Sequence, residues 1–184
     1  MIKKIGTLLL LLVVLVGCNS KTEYTEIVQD DTFSISVPTT MQKTRALNGD
    51  ATLQLQNVKE ELYLIVIKEN KKEIDELFKA TAVTGEGEDI FGDFSETTLE
   101  YLTSTLEELT PEELKLQASM QHNLPTKKVD FTVRISGLDI YYKFSAFEGK
   151  ENYYQVLTWT MKEYKDKNEE AMNKMLDSFK EVTK

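Results

Sequence analysis

Leu62-Tyr63-Leu64-Ile65-Val66-Ile67 is apolar on both parities. Successive side chains of a strand point to opposite faces of a sheet, so such a run needs protein on both sides. It predicts a central strand and an α+β, three-layer α/β/α sandwich. Working outward, Phe33, Ile35 and Val37 alternate with Ser34 and Ser36 and stop at Pro38, the period of a half-buried strand ended by a residue that cannot donate to a ladder. Leu53 and Leu55 repeat the alternation with Gln54 and Gln56.

Two helices are expected after the central strand. The first opens at Asn70 with Glu73 three residues on, a capping-box spacing, and carries Ile74, Leu77 and Phe78 on one face. Thr84-Gly85-Glu86-Gly87-Glu88-Asp89 reads as an acidic loop, and the second helix is expected from Asp93 or Ser95. Its leucines, Leu99, Leu102, Leu106 and Leu109, recur every three or four residues and are assigned to the core.

Thr110-Pro111-Glu112-Glu113 is a turn signal that returns the chain to strands, a weak one near Leu114 to Met120 and a clear one carrying Val129, Phe131, Val133 and Ile135 on one face. Ser136-Gly137 turns it back. Residues 139–148 and 151–162 then form a hairpin around Gly149-Lys150, read as a type II′ turn with 148 opposite 151. One face of this hairpin holds Ile140, Tyr142, Phe144 and Ala146 with Tyr153, Gln155, Leu157 and Trp159. The other holds Tyr141, Lys143, Ser145 and Phe147 with Tyr154, Val156, Thr158 and Thr160. A last helix is expected from Asp166, with Glu169 completing a capping box and Met172, Met175, Leu176, Phe179 and Val182 along one side. It is expected on the Trp159 side of the sheet, with the two middle helices over part of the opposite side.

At the N-terminus, Lys3 and Lys4 precede an apolar run from Leu8 to Val16, which ends at Leu15-Val16-Gly17-Cys18. The run is too short to span a bilayer comfortably and has the form of a secretory signal. Leu-Val-Gly-Cys resembles the lipobox of bacterial lipoproteins, which implies a diacylglycerol on the Cys18 thiol and removal of residues 1–17. Residues 18–23 then form a tether and residues 24–184 one globular domain. Cys18 is the only cysteine, so the chain can form no internal disulfide. Two or more acyl chains on Cys18 anchor a protein firmly without a transmembrane helix.

Loss of Lys3 and Lys4 with the signal leaves 20 basic residues against 31 acidic ones, a net charge of −11. Such a surface repels phosphates and anionic headgroups, which argues against nucleic acid as a partner and against membrane binding through basic patches.

The early strand ending in Val-Pro, the two-faced strand, the central helices, the meander with Ile140-Tyr141-Tyr142 and Tyr153-Tyr154-Gln155-Val156-Leu157-Thr158-Trp159-Thr160, and the closing Leu176-Asp177-Ser178-Phe179 resemble the PsbP-like fold. That group includes photosystem accessory proteins, a nuclear-import factor that binds the Ran GTPase, and DcrB-related envelope lipoproteins. The resemblance implies an antiparallel sheet between helices and a role in binding other proteins. None of the family's functional residues maps onto a motif of this chain.

Catalytic signatures are absent from the sequence. His122 is the only histidine and has no cysteine near it, so it is assigned to a solvated loop or strand end. No Gly-x-Ser-x-Gly elbow, phosphate-cradling loop or dinucleotide fingerprint occurs, and no cofactor is expected. Glu86, Glu88, Asp89 and Asp93 lack the oxygen spacing of a calcium loop, and Glu107-Glu108 and Glu112-Glu113 read as solvated pairs. The face around Tyr141, Lys143, Phe147 and Tyr154 is the candidate recognition patch, because clustered tyrosines give large contact area with a polar handle. Its alternative is burial beneath the central helices.

The expectation is a non-enzymatic lipoprotein, held on a bacterial envelope membrane through Cys18 with its domain outside the cytoplasm, that binds another envelope protein. The alternative is an envelope hydrolase or small-ligand carrier with a carboxylate-lined cleft between the acidic loop and the sheet.

Overall fold

The structure is a computed structural model that describes residues 22–81, 89–104 and 114–182. Cys18, Glu86 and Glu88 of the acidic loop, Leu106, Leu109 and the Thr110–Glu113 turn lie outside the described residues. In chain order the elements are β1 (Tyr24–Gln29), β2 (Phe33–Pro38), β3 (Gln42–Lys43), β4 (Leu53–Asn57), β5 (Leu62–Asn70), α1 (Lys71–Ala80) and α2 (Ile90–Ser104). They continue as β6 (Gln117–Gln121), β7 (Leu124–Ile135), β8 (Leu138–Glu148), β9 (Asn152–Met161), α3 (Lys165–Ser178) and β10 (Lys180–Glu181).

The strands form an antiparallel seven-stranded sheet, ordered β3-β4-β5-β9-β8-β7-β6, and a second, three-stranded sheet ordered β1-β2-β10. β5 is interior, and it serves two cores. Leu62, Leu64 and Val66 join Phe33, Ile35, Val37, Met172 and Phe179 on one face, while Ile65 joins Phe78, Phe94, Phe144 and Leu157 on the other. The three-layer expectation therefore holds, with α1 and α2 in one outer layer and α3 plus the small sheet in the other.

The helices take the faces opposite to those expected. α3 and β2 cover the Tyr141, Phe147, Tyr154 face, and α1 and α2 cover the Phe144, Leu157, Trp159 face. Polar residues on the α3 side are satisfied from neighbouring elements, which removes the penalty for burying them. Asn168 Nδ2 of α3 donates to the Thr160 hydroxyl at 2.8 Å, and Thr158 Oγ1 donates to the Tyr63 carbonyl at 2.7 Å.

Local signals fix most boundaries. Asn70 caps α1, its side chain accepting from the Glu73 N–H at 3.1 Å. Ser136 and Gly137 have φ of 50° and 82° between paired Ile135 and Leu138, a two-residue turn of type I′ that suits the strand twist. α2 starts earlier than expected, at Ile90, because Asp89 caps it by accepting from the Gly92 N–H at 2.9 Å. α3 has no side-chain cap at its N-terminus; Glu169 instead accepts from Tyr141.

The β8–β9 hairpin pairs Glu148 with Tyr153, two residues away from the expected register. Its loop is Lys150-Glu151, and the Gly149 N–H donates to the Asn152 carbonyl at 2.8 Å. Gly149 is required for close approach and not for a left-handed φ. A Cβ there would lie 2.8 Å from both the Asn152 carbonyl oxygen and a Tyr154 ring carbon. An even register shift preserves parity, so both faces keep the membership expected from the sequence.

Candidate functional site

Four cross-layer contacts hold α1 and α2 on the sheet. Phe91 and Phe94 of α2 stack on Tyr153 with ring centroids 5.8 and 4.7 Å away. The Tyr153 hydroxyl donates to Asp75 of α1 at 2.7 Å, and burial together with that carboxylate raises the phenol pKa. At the start of α2, Lys127 Nζ of β7 lies 2.8 Å from the Asp89 carboxylate. The lysine holds the Asp89 pKa below its ordinary value.

Between the two helices and the sheet lies an open groove of about 780 Å³. Ile65, Phe144 and Leu157 of the sheet line it, α1 contributes Ile74, Leu77 and Phe78, and α2 contributes Phe94, Thr98 and Tyr101. Leu77 is 56% exposed and Tyr101 73% exposed. Asp50 and Glu69 also line the groove, the Glu69 carboxylate accepting from Gln155 Nε2. An apolar groove with a few polar groups is the usual form of a binding site. Its residues come from the β3–β4 loop, β5, α1, α2, β8 and β9, so no local stretch of sequence signals it; only the helical spacing of Ile74, Leu77 and Phe78 pointed toward that wall.

The residues nominated from the sequence are placed elsewhere. Tyr141, Lys143, Phe147 and Tyr154 do share one face of β8 and β9, but they are buried beneath α3 and the small sheet, not beneath α1 and α2. Phe147 packs on Phe179 at 4.5 Å, and the Tyr154 hydroxyl donates to Glu181 at 3.1 Å. In this structure the four belong to the core and form no outer patch, because α3 brings both the apolar surface and the polar partners they need.

The polar part of that face is a charge cluster. The Tyr141 hydroxyl lies 3.0 Å from Asp130 Oδ2 and 3.1 Å from Glu169 Oε1, and the Lys143 ammonium donates to the same Asp130 oxygen. Burial first, then the two carboxylates, raises the Tyr141 pKa, so this phenol is held as a proton donor. A cleft of about 350 Å³ beside Lys143 is lined by Asp130, Lys128, Asn173 and Asp177. His122 is exposed in the β6–β7 turn, its Nε2 donating to the Asp177 carbonyl at 2.9 Å. Among the described residues, no three His, Cys, Asp or Glu side chains are grouped to hold a metal.

No family model and no curated protein matches the chain. Solved structures do. The cyanobacterial PsbP protein of Synechocystis sp. PCC 6803 superposes with a TM-score of 0.59 over 90% of this chain and 96% of its own, at 13% identity. The fold is PsbP-like. A second neighbour is LpqN of Mycobacterium tuberculosis, described as involved in cell envelope biogenesis, with a TM-score of 0.52 over 89% of this chain and 92% of that one, at 9% identity. At such identities these neighbours establish the arrangement of layers and strands alone. Among the described residues, no helix is long and apolar enough to cross a membrane.

Proposed function

We propose that this chain is a lipid-anchored envelope lipoprotein whose PsbP-like domain is a non-catalytic accessory module, binding another envelope protein in the groove between α1 and α2. The observation that carries the reading is the pair Leu77 and Tyr101, exposed above an apolar floor of Ile65, Phe144 and Leu157. Large apolar side chains beside a concave apolar surface are the anatomy of a recognition site, with tyrosine as a frequent energetic anchor. The lipobox-like Leu15-Val16-Gly17-Cys18 supports the anchor, and the envelope association of a neighbour with the same fold agrees with the address.

A photoreactive phenylalanine analogue at Tyr101 in the native membrane tests the reading. The expected result is a discrete covalent adduct with one envelope protein, absent when the same probe replaces Val58 on the exposed 3₁₀ turn before β5. Equal or no adducts at the two sites would overturn it.

One observation favours a second reading, that of a small-ligand carrier: the volume of the groove falls in the range of about 300–1,000 Å³ typical of ligand pockets. A small molecule co-purifying with the wild-type protein and lost from Phe144→Trp would replace the protein-binding reading with the carrier.

A further inference from the structure

β6 ends the seven-stranded sheet, and among the described residues no strand pairs with its outer edge. Gln121 and Leu124 close the two-residue turn His122-Asn123, whose φ values of 49° and 66° are those of a type I′ hairpin. Gln121 and Leu124 are therefore a hydrogen-bonded pair, and alternation makes Ser119 with Thr126 and Gln117 with Lys128 hydrogen-bonded as well. Ala118 and Met120 consequently direct their backbone N–H and C=O groups away from β7. Pro125, which has no N–H, stands opposite Met120, where the β6–β7 ladder asks for none.

Proteins blunt such edges with charge, proline, bulges or brevity. The other sheet edges here follow that practice: β3 and β10 have two residues each and carry Lys43, Lys180 and Glu181, while Glu26 of β1 lies 3.0 Å from Lys180. β6 does not. Its sequence Gln-Ala-Ser-Met-Gln is uncharged, its pairing with β7 has no bulge, and Met120 is 67% exposed.

We propose that β6 pairs antiparallel with β6 of a second copy of this chain, across a two-fold axis at Ser119. The strand is self-complementary in that register. Ala118 and Met120 of one copy meet Met120 and Ala118 of the other, so each outward N–H and C=O gains a partner and a large side chain faces a small one. Gln117 faces Gln121, and Ser119 faces Ser119. Two chains of net charge −9 repel, and over these five positions the pairing sets no charge against another. The inference is independent of the groove and of the anchor.

In this geometry the two Ser119 residues form a non-hydrogen-bonded pair with Cα atoms about 4.5 Å apart, within disulfide reach. The test is Ser119→Cys in the full-length chain under mild oxidation, with the wild-type chain reporting any bridge through Cys18. A disulfide between the introduced thiols of two copies, mapped by mass spectrometry, should form roughly tenfold faster than a bridge in Val28→Cys, whose thiol sits on exposed β1 without such pairing. Met120→Glu added to Ser119→Cys should abolish the advantage, as should Met120→Pro, which deletes the outward N–H while leaving the β7 ladder intact. A rate no faster than that of Val28→Cys, insensitivity to Met120→Glu, or bridging only to a different protein would overturn the proposal.

Discussion

The phenol of Tyr153 donates a 2.7 Å hydrogen bond to the Asp75 carboxylate, so a side chain from an interior strand of the sheet holds α1 from below. Tyr153→Phe keeps the ring stack with Phe91 and Phe94 and removes that one bond. A loss of about 1 kcal/mol is expected, read as a lower urea midpoint at unchanged slope. An unchanged midpoint would show that the bond does not secure α1.

Raised phenol pKa values, most of all those of five tyrosines beside the milder rise at Tyr24, give the fold an alkaline limit. Burial pushes the Tyr142 phenol up to about 12, burial with Glu61 does the same for Tyr63, and Tyr141, Tyr153 and Tyr154 are raised as well. The native state keeps protons that the unfolded chain releases near pH 10, so this stabilisation is complete below about pH 10 and is lost as pH climbs beyond it. Denaturation midpoints at pH 8 and pH 11 should fall in that order, with the tyrosinate absorbance of these five phenols appearing together with unfolding. Full tyrosinate absorbance in a folded protein at pH 11 would contradict this.

Lys143 has 8% of its side chain exposed, and it donates to Asp130 with Glu169 3.9 Å away. Lys143→Met leaves two carboxylates around the Tyr141 hydroxyl without the ammonium between them. Because both acids reach solvent, the expected cost is moderate, about 1–3 kcal/mol by chemical denaturation. Tyr141→Phe in the same background should cost less than it does in the wild type, since the two share partners.

On the proposed reading, substitutions in the groove separate binding from stability. Leu77→Asp and Tyr101→Asp are expected to change stability by less than about 0.5 kcal/mol, because both side chains are exposed. Leu77→Asp should nevertheless remove the partner cross-linked by the probe at position 101, and Tyr101→Asp should remove the co-purification of that same partner. Phe144→Ala, deep in the floor, is expected to cost about 3–5 kcal/mol.

What the sequence reveals here is mostly parity. Alternation assigned residues 140–147 and 153–160 to their correct faces, and the apolar run Leu62 to Ile67 identified the two-sided strand. Parity does not set register, which is why Gly149 reads as a turn residue when its role is to let Tyr154 and Asn152 come close. It also does not say which helix lies on which face. Tyr141, Lys143, Thr158 and Thr160 look like a wet surface until Asn168, Glu169 and the Tyr63 carbonyl supply their partners from distant positions. The groove is illegible for the same reason: it exists only between the two helices and the sheet.

The most direct test of the central claim is the intact mass of the protein extracted from membranes of its native cell. The expected species begins at Cys18 and carries a thioether-linked diacylglycerol. A species with residues 1–17 attached, or with an unmodified Cys18, would contradict the account.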